Sequence, residues 1–166
     1  MPAALVLLFA LQAGPSAWIG KGAVVLLFVR SDCPISNRYA PELQRLYQQY
    51  SPQGIDFRLV YPEPGLTPAA MEAHLREYGY TIPAVLDPGH EYVSRARARV
   101  TPQAAVFVRG QPVYLGRIDD RYVETGKARN TAHHHDLEEV LADVAAGMIP
   151  RLRETKAVGC AIENPQ

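Results

Sequence analysis

The stretch AVVLLFVRSDCPISNRYAPELQRLYQQY, Ala23 to Tyr50, decides the fold. It opens on an unbroken apolar run from Ala23 to Val29, rich in β-branched residues and closed by Arg30. A run of that length and make-up reads as a strand buried on both faces. After Ser31-Asp32-Cys33-Pro34 the pattern changes to a helical one, carried by Leu43, Leu46 and Tyr47. Cys33 therefore stands where a buried strand hands over to a helix, with Pro34 suited to the first helical turn. Free backbone N–H groups and the helix macrodipole at that point favour a thiolate over a thiol. Asp32 opposes that effect and Arg30 assists it. The bland alternative, a small buried hydrophobe, fits poorly, because the sulfur lies at the open end of the sheet. Cys33 is read as a reactive thiol.

Outward from this stretch, the 166 residues suit one domain with a core of its own. Lysine plus arginine and aspartate plus glutamate number 17 each, so the formal charge is zero and no nucleic-acid partner is indicated. Residues 1–17 form an apolar segment ending in small residues, which suits a signal peptide cleaved near Ala13 or Ala17. Its basic N-terminal flank is missing, and a buried first strand is the other reading. Export places the chain in a periplasmic or other extracytoplasmic compartment, where Cys33 and Cys160 can meet in a disulfide. A cytoplasmic location stays open, and contact with a membrane is expected only through an uncleaved N-terminal segment.

Downstream, Gly54 to Tyr61 reads as a second strand parallel to the first. Thr67-Pro68 starts a helix to Tyr78 with Met71, Leu75 and Tyr78 on one face. Pro83 to Asp87 is a short strand and Glu91 to Arg99 a short helix. Gln103 to Val108 and Val113 to Ile118 make a hairpin around Arg109-Gly110-Gln111-Pro112. Asp119 to Thr131 is a charged loop, and Asp136 to Ala146 an amphipathic helix stopped by Gly147. Residues 148–166 are a tail carrying Cys160. The order implies an α/β domain over residues 18–147, a mixed central sheet with helices on both faces, a closing hairpin and a C-terminal helix plus tail.

With these elements in place, the chain resembles the thioredoxin-like superfamily, in its redoxin branch of alkyl hydroperoxide reductase and thiol-specific antioxidant type. Cys33-Pro34-Ile35-Ser36 stands where that superfamily keeps Cys-x-x-Cys, and Pro41 matches its helix proline. Thr101-Pro102, just before a strand and hairpin, resembles its cis-proline loop. The phrase from Asp32 to Glu42, with the distant Lys156-Ala157-Val158-Gly159-Cys160, is similar to an exported bacterial subgroup.

The resemblance implies thiol–disulfide exchange. On that reading Cys33 is the nucleophile, Pro34, Thr101 and Pro102 bind substrate, and Ser36, in place of the second cysteine, either hydrogen-bonds the sulfur or is an ordinary residue of the first helical turn. Cys160 is the resolving thiol available within the chain. The expected partners are a protein or small thiol/disulfide substrate and an external thiol reductant, with no cofactor. Peroxiredoxins carry threonine and proline where this chain has Arg30 and Leu26, which weakens a peroxide-reductase reading. The other alternative is copper binding or delivery, with Cys33, Cys160 and His134 as candidate ligands. Against it, His133-His134-His135 reads more simply as a helix start capped by His134 or Asp136.

Overall fold

The computed structural model describes Ile19 and residues 22–163. The segment read as a signal peptide lies outside the described residues, as do its cleavage sites. Strand β1, Ala23–Phe28, is the centre of the sheet, with Val24 to Phe28 at most 1% exposed. Its alternate side chains explain the unbroken apolar run. Val25 and Leu27 enter one core with Leu43, Leu46, Leu137 and Leu141. Val24, Leu26 and Phe28 enter a second with Ile19, Tyr92, Val93 and Ala96. A strand with both faces covered has no polar alternation to show.

Helix α1, Pro34–Tyr50, follows β1, and β2, Ile55–Tyr61, then pairs parallel to β1 with Val25 opposite Phe57 and Leu27 opposite Leu59. Helix α2, Pro68–Glu77, begins where Thr67 accepts the Ala70 N–H on its hydroxyl at 3.1 Å. That bond satisfies an orphan donor of the first turn. The short β3, Ala84–Leu86, leads to α3, Glu91–Ala96. This helix is shorter than the pattern predicts, because Arg97 turns left-handed with φ 60° and ends it.

Strands β4, Val100–Thr101, and β5, Gln103–Val108, flank Pro102, and the Thr101–Pro102 bond is cis. Strand β5 runs antiparallel to β1 and to β6, Gln111–Gly116. The charged loop after β6 contains a small hairpin of β7, Tyr122–Glu124, and β8, Lys127–Ala128. Helix α4, Asp136–Ala145, packs Leu137, Val140, Leu141 and Val144 into the first core. The result is a mixed sheet ordered β3-β2-β1-β5-β6-β9 with helices on both faces.

The tail does not hang free. Its first strand, β9 (Arg153–Glu154), extends the main sheet parallel to β6, and its second, β10 (Cys160–Ala161), pairs antiparallel with β4. Thr155 fastens the start of this strap. Its N–H donates to the Leu115 carbonyl at 3.0 Å, and its hydroxyl meets Tyr114 at 2.7 Å and the Arg117 N–H at 3.1 Å. Gly116 makes room for it, since a Cβ there would lie 2.9 Å from the Thr155 carbonyl oxygen. Between its two anchors the strap borders a cavity of about 450 Å³ lined in part by Leu115, Lys156 and Ala157. Ladders two residues long carry no periodicity, which is why this segment reads as a plain tail.

Candidate active site

Cys33 is the N-cap of α1, with extended backbone (φ −92°, ψ 111°), and Pro34 sits in the first turn. The fold holds Cys33 there because β1 runs straight from the buried core into a tight turn. In that turn the Cys33 N–H reaches the Arg30 carbonyl at 3.4 Å. From the other side the strap brings Cys160, 127 residues away, into a disulfide with Cys33, with Cα atoms 6.1 Å apart. That separation is ordinary for a disulfide. Strand β10 places it, with Cys160 directly opposite Thr101 and Ala161 opposite Val100. The Cys33 sulfur also lies 3.2 Å from the Thr101 carbonyl oxygen. In the dithiol form a thiol at that point can donate to it.

A cysteine at a helix N-cap, a second cysteine and a cis X–Pro loop thus converge at the end of β1. A family model described as AhpC/TSA family matches residues 16–114. The chain belongs to the AhpC/TSA family. Its sequence is 33% identical over 84 residues to the thiol-disulfide oxidoreductase ResA of Halalkalibacterium halodurans. That match covers 50% of this chain and 46% of the relative, so the chain spans about half the length of the curated relative it matches. Among solved structures, a hypothetical protein from Sinorhizobium meliloti 1021 superposes with a TM-score of 0.73 at 22% identity, over 88% of this chain and 81% of that one. An uncharacterized conserved protein from Geobacillus kaustophilus gives 0.72 at 24%, over 86% and 77%. A thioredoxin-like protein solved in its oxidised form superposes with a TM-score of 0.60 at 18% identity, over 82% of this chain and 86% of that one, and the fold of this AhpC/TSA chain is thioredoxin-like.

Burial separates the two sulfur-bearing residues of the AhpC/TSA site. Cys33 is 0% exposed, whereas Cys160 is only half-buried. Ser36, in the first turn of α1, and Thr101 are also buried, and neither hydroxyl has a hydrogen-bond partner. The expected Ser36 contact with sulfur is therefore not made in the disulfide form.

Arg30 and the strap interlock in a way the sequence does not announce. Its guanidinium grips the Asp32 carboxylate at two points, both 3.0 Å, and donates to the Ala161 carbonyl at 3.2 Å. One cation thus neutralises the carboxylate beside Cys33 and holds the residue after Cys160. The Ser31 N–H and hydroxyl both donate to Glu63, at 2.7 and 2.6 Å, and Asn37 donates to the Ser31 carbonyl at 3.0 Å. His74 continues that chain, with Nε2 at 2.9 Å from Asn37 Oδ1 and Nδ1 at 2.8 Å from the Tyr61 hydroxyl. A carbonyl oxygen only accepts, so Nε2 carries the proton and Nδ1 receives the tyrosine hydroxyl. Burial lowers the His74 pKa, in keeping with that neutral form. The polar sequence Glu63-Ser31-Asn37-His74-Tyr61 props the turn that presents Cys33.

The histidine run lies elsewhere. His134 is exposed, and the N–H groups of His133 and His134 donate to Asp120 at 2.6 and 3.0 Å. Those bonds, the His134 one foremost, pull the Asp120 carboxyl down to about 2. The N-cap of α4 is His135 rather than His134 or Asp136, and its side chain makes no cap. Asp136 is instead buried in the first turn and bonded by Arg117 at 2.6 Å and by Arg153 of the strap. Among the described residues, Glu42, His135 and Glu138 approach closely enough to share an ion, but Arg45 already bonds both carboxylates.

Proposed function

We propose that this chain is a two-cysteine thiol–disulfide oxidoreductase in which Cys33 attacks and Cys160 resolves. The observation that carries the reading is the bond itself: a cysteine at a helix N-cap joined to a cysteine delivered by a separate strap. In the reducing direction the Cys33 thiolate attacks one sulfur of a substrate disulfide, forming a mixed disulfide and releasing the first substrate thiolate. The Cys160 thiolate then attacks the Cys33 sulfur, releasing the second and closing Cys33–Cys160. The substrate gains two electrons and two protons, and the chain is oxidised by the same amount. An external thiol reductant restores both thiols.

Each residue near the sulfur has a part in that cycle. The N–H groups of the first turn and the Ser36 hydroxyl favour the Cys33 thiolate. Arg30 offsets the charge of Asp32. Pro34 starts the helix behind the sulfur, and Thr101 with Pro102 presents backbone to the substrate. The resemblance of half this chain to a protein named as a thiol-disulfide oxidoreductase supports the same chemistry. Substrates are a protein or small disulfide, and no cofactor or nucleic acid takes part. The copper alternative needs the dithiol form, since a disulfide offers no thiolate to a metal. No specific feature of the site favours it or peroxide reduction.

An exported setting agrees with a disulfide between distant cysteines. No helix among the described residues is long and apolar enough to cross a membrane, so a membrane link would rest on the N-terminal segment.

Peptide mass mapping without reduction, before and after mild reductant, tests the cycle. The expected result is a Cys33–Cys160 link that opens and re-forms. A Cys160→Ser variant is expected to accumulate a mixed disulfide on Cys33, and a Cys33→Ser variant to be inert. Two thiols that stay free in oxidised glutathione refute the reading.

A further inference from the structure

The disulfide of this chain is chemically a mixed disulfide on Cys33 whose second half is the chain's own tail. Strand β10 lies on the edge of β4, and Ile162 donates its N–H to the Arg99 carbonyl at 2.9 Å, extending the pairing by one residue. Whatever extended polypeptide replaces Cys160 on Cys33 must put its own sulfur at the same point, and β4 is the edge that point adjoins. The tail is therefore a template of what this edge accepts.

Three features of the template are specific. The residue before the cysteine is Gly159, and a Cβ there would overlap the Thr101 carbonyl oxygen, at 2.6 Å from its carbon and 3.1 Å from the Pro102 nitrogen. All three obstacles are backbone, so none can swing aside as a side-chain tip does. The residues two before and two after the cysteine are apolar and pack on opposite cores, Val158 against the first and Ile162 against the second. Arg30 takes the carbonyl of the residue after the cysteine, a contact blind to sequence.

We infer that Val158–Ile162 is a tethered copy of the substrate: the β4 edge binds extended polypeptide of the pattern apolar-Gly-Cys-x-apolar, and only the reduced chain offers that edge. The inference rests on the oxidoreductase reading above and adds to it a substrate class and a gate. Each turnover is then an exchange of strands. The substrate strand occupies β4 while its sulfur is bound to Cys33. The tail displaces it as Cys160 forms the new bond and the substrate thiolate leaves. Anchored by β9 and Thr155, the tail swings through the short span 156–159 rather than dissociating.

The test uses the reduced Cys160→Ser chain and peptides whose cysteine carries thionitrobenzoate, so that attack by Cys33 releases a coloured thiolate. One peptide is Lys-Ala-Val-Gly-Cys-Ala-Ile, the second has alanine in place of its glycine, and free cysteine bearing the same group is the small control. Rates are divided by those with dithiothreitol to remove intrinsic reactivity. The glycine peptide is expected to react on the order of tenfold faster than the alanine peptide, the span of an overpacking penalty.

Equal rates for the two peptides overturn the glycine preference while leaving the oxidoreductase reading in place. No release even from the small control overturns that reading and the inference with it. A serine version of the glycine peptide reads the gate on the wild-type chain, binding when it is reduced and not when it is oxidised. Equal binding to both forms overturns the gate.

Discussion

A single methyl group on Gly159 is expected to make the disulfide easier to reduce. In Gly159→Ala the new Cβ would meet Thr101 and Pro102 backbone, 2.6 Å from the Thr101 carbonyl carbon. That backbone is fixed by β5, whose Gln103 pairs with Phe28 of β1, so the tail must give way. Moving it off β4 loses the strand bridge, the Ile162 bond to Arg99 and the Arg30 bond to Ala161. Three such bonds at about 0.5–1.5 kcal/mol each, or overpacking at about 1–3 kcal/mol, give a loss of about 1–4.5 kcal/mol. The loss falls on the disulfide form alone, because the dithiol form can release the tail. At about 30 mV per 1.4 kcal/mol the potential should rise by about 20–95 mV. Equilibration with dithiothreitol couples, alkylation of free thiols and mass counting give the value directly. Gly89→Ala is the control, since nothing lies within 4 Å of a Cβ there. A rise below about 15 mV, about half the step for 1.4 kcal/mol, refutes the close approach as the cause.

Three further outcomes are expected. Arg30→Gln removes the grip on Ala161 and on Asp32, so the potential should rise by about 10–30 mV. In a Cys160→Ser background, Cys33 alkylation should also slow because the Asp32 charge is then uncompensated; an unchanged alkylation profile against pH refutes this. Since burial lowers the His74 pKa, the unfolded chain takes up that proton first as pH falls through about 6.5. The stability tied to neutral His74 is thus complete above that pH and declines below it, toward the folded pKa. Thermal unfolding should show a smaller acid-induced drop for His74→Gln than for the wild type, and equal drops refute the assignment. Asp136→Ala removes the carboxylate that Arg117 bonds and one of the two that Arg153 bonds, both arginines being partly exposed. Discounted for solvent, the cost should be about 1–3 kcal/mol in urea unfolding, and a change below about 0.5 kcal/mol, the range of an ordinary surface substitution, refutes the pairing.

The sheet and the sulfur were legible because their signals are local. A doubly buried strand, a cysteine, a proline and a helical stripe follow one another within Ala23 to Tyr50, and the fold keeps that order. The strap was not legible, since β9 and β10 are two residues each and their partners, β6 and β4, lie far back in the chain. Arg30 could be seen as a charge near Cys33, but its bond to Ala161 spans 131 residues and depends on the strap. The prop through Glu63, Asn37 and His74 joins three separate elements with no spacing rule. Its one trace in the sequence is a histidine on an otherwise apolar helix face. Gly159 and Gly116 are the strap's marks in the sequence, since glycine inside an extended segment often means close backbone approach.

The 127-residue separation between the bonded cysteines has a consequence for the whole domain. Joined, the chain from Cys33 at the start of α1 to Cys160 in β10 is a covalent ring, and an unfolded ring has far fewer shapes than an open chain. On the loop-entropy account a closed loop of that size favours the folded state by about 5 kcal/mol. That is a large share of the roughly 5–15 kcal/mol by which domains exceed unfolding. Each catalytic cycle would therefore carry the protein between a cross-linked, robust form and an open, more fragile one. Proteases and heat would read the oxidation state of two sulfur atoms as the durability of the entire fold.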